Sequence, residues 1–333
     1  MHPYLLKIGS FELRIYSLMI IAAVFIALHF ASKRAQAIGL QPRLIENGMI
    51  ITFICGVLGA RLYYVVFNWS YFGSNPSEIL AVWHGGLAIH GGIILGVLAG
   101  VIFCRRQKLS VLQIADLLAP FMLLGQGIGR FGNFANGEAH GVPTLIPPSV
   151  IFQMKPDFTG FWHNTLNQLN VSANPSALTQ LYESIASSAP AQVLYRGKEY
   201  LLREYVPWGI SFPPKYNSLT YQEFGSMPVH PTFFYEMILN FIGAFVLLRL
   251  WRKDENLGTG KVASLYLVFY GLIRGFVTFF RADDLMFGPI RAPHMASLLL
   301  IAGGVALYVL MKRRQRKVEP AEAVEYDDDD WIK

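Results

Sequence analysis

Seven apolar stretches, each close to the roughly 20 residues that a helix needs to cross a bilayer core, dominate this chain. They run over 15–32, 48–67, 86–104, 111–129, 232–250, 262–280 and 294–311. In lipid only helices and closed barrels satisfy their own backbone, so these lengths predict an all-α polytopic membrane protein with seven transmembrane helices. Composition agrees. Charged residues make up 15% and hydrophobic ones 53%, against about 25% charged in soluble domains. Disorder is excluded, because so apolar a chain must bury its side chains. Cys55 and Cys104 both sit in apolar runs, so no disulfide framework is readable. Little basic charge precedes the first stretch and further spans follow, which reads as an uncleaved helix rather than a signal peptide.

The placement of basic residues orients the set. Lys33, Arg34 and Arg43 follow span one, and Arg105, Arg106 and Lys108 follow span three. Arg249, Arg252, Lys253 and Lys261 lie between spans five and six, and Lys312, Arg313, Arg314, Arg316 and Lys317 follow span seven. The loop 68–85 has no Lys or Arg. The positive-inside rule then puts the N-terminus outside and the C-terminus in the cytoplasm. Four regions result: 1–141 with helices one to four and a polar loop, an extracytoplasmic segment 142–228, helices five to seven over 229–318, and an acidic cytoplasmic tail 319–333. The aromatics of the outer segment (Phe161, Trp162, Tyr182, Tyr195, Trp208) suit either a small core or contact with lipid headgroups. No internal repeat is visible, so a transporter built from inverted halves gains no support.

Ionisable groups at membrane depth cost roughly 2.5–3.5 kcal/mol each on insertion scales, and so mark candidate sites. Here they are His90, Asp116, Arg130 and Arg274, with Arg61 near the outer end of span two and Tyr16 opening span one. The densest cluster runs from Gly129-Arg130-Phe131-Gly132-Asn133 through Asn136-Gly137-Glu138 to His140-Gly141. Arg offers a planar fork that matches a phosphate, and Asn offers both donor and acceptor. If this stretch is helical, positions 130, 133 and 136 share a face and make a polar pocket. The competing reading is a Gly-rich re-entrant turn that satisfies only its own backbone.

His84 and His90 are each followed by Gly-Gly. A histidine can act as a base near neutral pH, or simply bond a neighbouring helix. The pair matches no usual zinc-ligand spacing. Tyr270, Arg274, Thr278 and Arg281 share one face of span six. An arginine so deep needs an anion, either a ligand phosphate or an internal partner such as Asp116 or Glu236. Pro231 suits the first turn of span five and sets Tyr235 and Glu236 just inside it.

Together these segments resemble the bacterial prolipoprotein diacylglyceryl transferases. The stretch 129–141 is similar to the family signature Gly-Arg-x-Gly-Asn-Phe-x-Asn-x-Glu-x-x-Gly at every fixed position. Supporting matches are Leu13-Arg14-Ile15-Tyr16, Gly59-Ala60-Arg61-Leu62, Gly86-Leu87-Ala88-Ile89-His90-Gly91-Gly92, Ala115-Asp116, His230-Pro231-Thr232 with Tyr235-Glu236, and Tyr270-Gly271 with Arg274 and Arg281. The chain departs from the family pattern at Ser17, Phe233-Phe234, Thr278 (a family Glu), Arg291 and His294. The resemblance implies transfer of a diacylglyceryl group from phosphatidylglycerol to the lipobox cysteine thiol of a prolipoprotein signal peptide, with release of glycerol phosphate. It implies His90 as base, and Arg130 and Arg274 on the phosphate. Tyr16, Arg61, Asn133, Asn136, Glu138, Tyr235, Glu236 and Arg281 are the implied substrate-binding residues. The resemblance implies no metal or organic cofactor and no nucleic acid. It places the protein in the bacterial inner membrane, with its site facing the outer leaflet of the lipid bilayer. Another membrane lipid transferase, or a diverged lipid-binding or transport paralogue, would use the same arginines.

Overall fold

The computed structural model describes residues 4–8, 11–82, 85–138, 140–153, 158–187, 190–282, 286–288 and 290–318. Trp83, His84 and the tail 319–333 therefore lie outside the described residues. A short hairpin, β1 (Tyr4–Ile8) and β2 (Phe11–Arg14), leads into α1 (Ile15–Ala37) and α2 (Pro42–Phe67). After the single turn α3 (Trp69–Phe72) come α4 (Ile89–Arg106), α5 (Val111–Asn136) and the single turn α6 (Pro148–Ile151). The segment 142–228 adds α7 (Phe158–Gln168), α8 (Pro175–Ser187), the hairpin β3 (Ala191–Tyr195) and β4 (Lys198–Leu202), and α9 (Leu219–Phe224). Then come α10 (Thr232–Trp251), α11 (Lys261–Thr278), the hairpin β5 (Met286–Phe287) and β6 (Ile290–Arg291), and α12 (Ala292–Val318). Among the described residues seven helices, α1, α2, α4, α5, α10, α11 and α12, are long and apolar enough to cross a membrane.

The helices α1, α2 and α12 run five to seven residues beyond the expected stretches on the side away from 142–228, and two other ends shape the site. The third helix starts at Ile89, because Gly85 and Gly86 take φ of +86° and +67° and break the helical path before it. The fourth continues through the polar signature to Asn136. It is not a re-entrant turn. Ser110 caps its start by accepting from the Gln113 amide at 3.3 Å. Gly137 closes it in the left-handed conformation, with φ +67°, where glycine carries no Cβ penalty.

Packing divides the spans. Helices α2 and α4 meet through Gly59 and Gly91, where a Cβ on either would run into the other's carbonyl oxygen. Such small-residue contacts let membrane helices approach closely. Helix α5 packs against α1, α10 and α11, and Ala119, Leu123, Ala244, Leu247, Ile273 and Val277 form one buried core among them. Asp116, fully buried, accepts from the amides of Gly258 (3.0 Å), Gly260 (2.7 Å) and Ala263 (2.9 Å). It caps the start of α11, where orphan N–H groups attract a carboxylate. Asp116 is thus not the partner of Arg274, which lies 13 residues further along α11, about 20 Å at 1.5 Å per residue.

The segment 142–228 builds its own core. Phe161, Trp162, Leu178, Leu202, Phe212, Phe224 and Met227 are buried together, with Tyr182 and Tyr195 packed on them. Of the five aromatics singled out, Trp208 alone stays largely exposed, at 61%. The segment sits on the ends of α5, α10 and α11, since Phe134, Phe233, Phe279 and Phe280 pack against the same core. Backbone bonds from Gly141 N to His230 O (2.9 Å) and Val142 N to Phe280 O (2.9 Å) fasten that junction.

Candidate active site

Helix α5 delivers the signature side chains to the junction between the spans and the 142–228 segment. Positions 130 and 133 fall on one helical face, and Arg130 Nη1 donates to Asn133 Oδ1 at 3.2 Å. Glu236, from the first turns of α10, is 1% exposed. Its Oε1 accepts from Arg130 Nη2 at 2.6 Å, and its Oε2 lies 3.6 Å from Arg274 Nη1 on α11. One carboxylate therefore holds two guanidiniums, and the trio keeps a net positive charge. The internal partner of Arg274 is Glu236. At the helix end, Asn136 Nδ2 donates to Glu138 Oε1 at 2.7 Å.

Two cavities meet here. A polar one of about 550 Å³ is lined by Arg130, Asn133, Glu138, His140, Glu223 and Arg281, with α9 closing one side. A largely apolar one of about 730 Å³ runs between α1, α2, α4 and α5, and Tyr16 and Tyr270 border it. Arg130 and Asn133 line both. The pair stands at the seam between a polar chamber and an apolar one, which is the shape of an amphipathic ligand with an anionic head.

The other expected residues divide into supports and outliers. Tyr16 packs on Gly132, where a Cβ would come within 2.5 Å of its ring. Arg61 is buried, and its guanidinium is spent on backbone carbonyls. It donates to Ile79 O (2.9 Å), Glu78 O (2.5 Å), Gly85 O (2.6 Å) and Gly86 O (3.0 Å), and so pins the loop after α2. Tyr235 accepts from Trp208 Nε1 at 2.8 Å and touches His230 Nδ1 at 3.3 Å, and it lines neither cavity. Burial pushes the His230 imidazole down to about 4, so it is neutral at pH 7. His90 is exposed on the first turn of α4, with its ring 6.0 Å from that of Tyr63. It lines neither cavity, although its neighbour Ile89 borders the apolar one.

Thr278, where the family has Glu, donates to Arg274 O at 2.7 Å, and Arg291 bonds the Thr278 carbonyl. The sequence places His140 in the densest polar cluster without a role of its own and gives no sign of Glu223. His140 Nε2 lies 3.0 Å from Glu223 Oε2 in the wall of the polar cavity. His140 stands inside the signature and was legible there. Nothing in the sequence links Glu223, 83 residues away, to it.

The profile of the prolipoprotein diacylglyceryl transferase family matches residues 3–310. The chain belongs to this family. A Fusobacterium nucleatum protein named phosphatidylglycerol–prolipoprotein diacylglyceryl transferase is 40% identical over 316 residues, which covers 95% of this chain and 99% of its own length. Proteins of the same name from Gloeobacter violaceus and Staphylococcus carnosus are 31% and 32% identical, each over 96% of this chain, with 96% and 92% of their own lengths covered. The diacylglyceryl transferase signature thus coincides with the end of α5, where Arg130 and Asn133 occupy the seam.

Proposed function

We propose that this chain moves the diacylglyceryl group of phosphatidylglycerol onto the lipobox cysteine thiol of a prolipoprotein. The seam at Arg130 and Asn133, between a polar and an apolar cavity, carries the reading. The glycerol phosphate headgroup occupies the polar cavity and the acyl chains start down the apolar one. The peptide thiolate attacks C3 of the lipid's diacylated glycerol. The C3–O bond breaks with its electron pair going to the phosphate, a C–S thioether forms, and glycerol phosphate departs. The thiol itself is a poor nucleophile, so its proton must leave first. Negative charge grows on the leaving phosphate. Arg130 and Arg274, pre-set by Glu236, stabilise that charge without reorganising.

Asn133, Asn136, Glu138 and Arg281 bind the headgroup, and Tyr16 walls the lipid side. Arg61 and Tyr235 act from behind, holding the loop and Trp208 in place. His90 takes the thiol proton from a peptide that reaches the rim of the apolar cavity from outside the bundle. If His90→Asn keeps most of the activity, that role is wrong. The enzyme spans the bacterial cytoplasmic membrane with its N-terminus outside, its C-terminus in the cytoplasm and its site at the outer leaflet. Basic residues on the loops after spans one, three, five and seven support that orientation.

The test uses purified full-length protein, a lipobox peptide and phosphatidylglycerol in mixed micelles. A peptide mass gain of one diacylglyceryl is expected. An unchanged mass would sink the assignment, and labelling of a non-peptide acceptor would move the chain to another class of lipid transferase.

A further inference from the structure

Below the arginines, the apolar cavity has a second polar layer that the headgroup chemistry does not use. Gln126 lines the cavity four residues before Arg130 on α5, about 6 Å deeper at 1.5 Å per residue. On α11, Tyr270 lines the same cavity four residues before Arg274. Tyr266 lies a turn further down, its ring stacked parallel to that of Tyr270 at 6.1 Å. The Tyr266 hydroxyl meets Gln126 Nε2 at 3.1 Å. Gln126 Oε1 is buried and has no hydrogen-bond partner among the described residues. A half-turn of the amide exchanges its two ends. In either orientation Tyr266 satisfies one end, and the other is unpaired among the described residues. With Oε1 turned to the Tyr266 hydroxyl, the two N–H donors become available.

The ligand's own chemistry identifies what meets them. With the phosphate at Arg130, the next part of a glycerophospholipid along the cavity is its glycerol backbone with two ester groups. Beyond those lie only hydrocarbon chains. Ester carbonyls accept hydrogen bonds, and they are the polar atoms that fall at the depth of Gln126. An unfilled amide in apolar surroundings is costly, which a carbonyl acceptor relieves and a methylene does not.

We propose that Gln126, oriented by Tyr266, binds an ester carbonyl of the lipid donor, so that the enzyme selects diester over diether glycerophospholipids. The inference rests on the diacylglyceryl transfer proposed above and adds a specificity residue to it. Its mechanistic use is positional. The reaction leaves both esters intact and breaks only the C3–O bond, so a held carbonyl fixes C3 relative to the arriving thiolate.

The test compares kcat/KM for phosphatidylglycerol carrying two ester-linked chains with that for the dialkyl ether analogue of equal chain length, using one lipobox peptide. The wild-type chain is expected to favour the diester about tenfold, equivalent to about 1.4 kcal/mol. Gln126→Leu brings the ratio close to one, and Tyr266→Phe lowers it part of the way. Equal rates on both lipids by the wild-type chain would overturn the proposal, as would a tenfold ratio retained by Gln126→Leu. If Gln126→Leu does not fold, Tyr266→Phe decides, and an unchanged ratio there counts against the proposal. If the wild-type chain transfers from neither lipid, the proposed function has failed. Thermal stabilisation of wild-type and variant protein by the two lipids then reads Gln126 directly, and equal stabilisation of the wild-type chain by both overturns the inference.

Discussion

Glu236 lies between the two arginines of the proposed phosphate site. It is 1% exposed and faces Arg130 at 2.6 Å and Arg274 at 3.6 Å, each arginine side chain being about a fifth exposed. Glu236→Gln keeps the shape and a hydrogen-bonding oxygen while removing the charge. Breaking a buried ion pair by removing one partner costs about 3–5 kcal/mol. Partial exposure of the arginines and the retained hydrogen bond reduce that to about 2 kcal/mol. The variant's thermal midpoint in detergent therefore falls. Phosphatidylglycerol supplies a phosphate where the carboxylate charge was lost, so it raises the midpoint of Glu236→Gln by more than that of the wild-type chain. Turnover still drops, by about tenfold to a hundredfold, because the two guanidiniums are no longer held in register. Thermal unfolding with and without phosphatidylglycerol, beside a lipidation assay, measures all three effects. An unchanged midpoint in the lipid-free variant, with equal lipid stabilisation of both proteins, would refute the bridging role of Glu236.

Three further outcomes are expected. Arg130→Ala should lower kcat by about 10²–10³, the usual loss when one donor to a developing charge is removed, while the protein still inserts into membranes; single-turnover lipidation and membrane fractionation check it. Gly141→Ala should destabilise the fold by about 1–3 kcal/mol, because its Cβ would meet His230 Cβ and Phe280 O at 2.6 Å each; thermal unfolding in detergent reads this. His230 sits at about 4 in the fold, below the value of about 6.5 for an unfolded histidine. Its contribution is present above pH 6.5 and is lost as pH falls towards 4, by about 3 kcal/mol in all. His230→Asn should flatten that part of the stability–pH curve, as urea or thermal unfolding at pH 7 and pH 4.5 would show.

The spans were legible because apolar length is a local property. The stretches 48–67, 232–250 and 262–280 contain or nearly coincide with the cores of α2, α10 and α11. The helical face of Arg130 and Asn133 was legible from spacing alone. Partners across the bundle were not, because a polar residue in a span can turn to any neighbouring helix. Asp116 and Glu236 were equal candidates for Arg274 in the sequence, and the start of α11 took Asp116. Arg61 read as a site residue because it is an ionisable group near the outer end of a span and because the resemblance implied it. Its acceptors are carbonyls of the loop 68–85 and its edge, which composition cannot reveal. The wall of the polar cavity formed by α9 depends on the fold of 142–228, and no spacing rule links Glu223 to His140.

In the proposed reaction the phosphate at Arg130 and Arg274 is the leaving group and C3 is the carbon attacked. Phosphatidylglycerol with a heavy-oxygen label in the bridge between C3 and phosphorus tests this directly, with the lipidated peptide and the small-molecule product read by mass spectrometry. All the label is expected to depart in glycerol phosphate, and the peptide to gain an unlabelled diacylglyceryl thioether. Label retained on a lipid product, or a phosphorus atom transferred with the lipid, would show attack at phosphorus and rule out C3 as the carbon attacked.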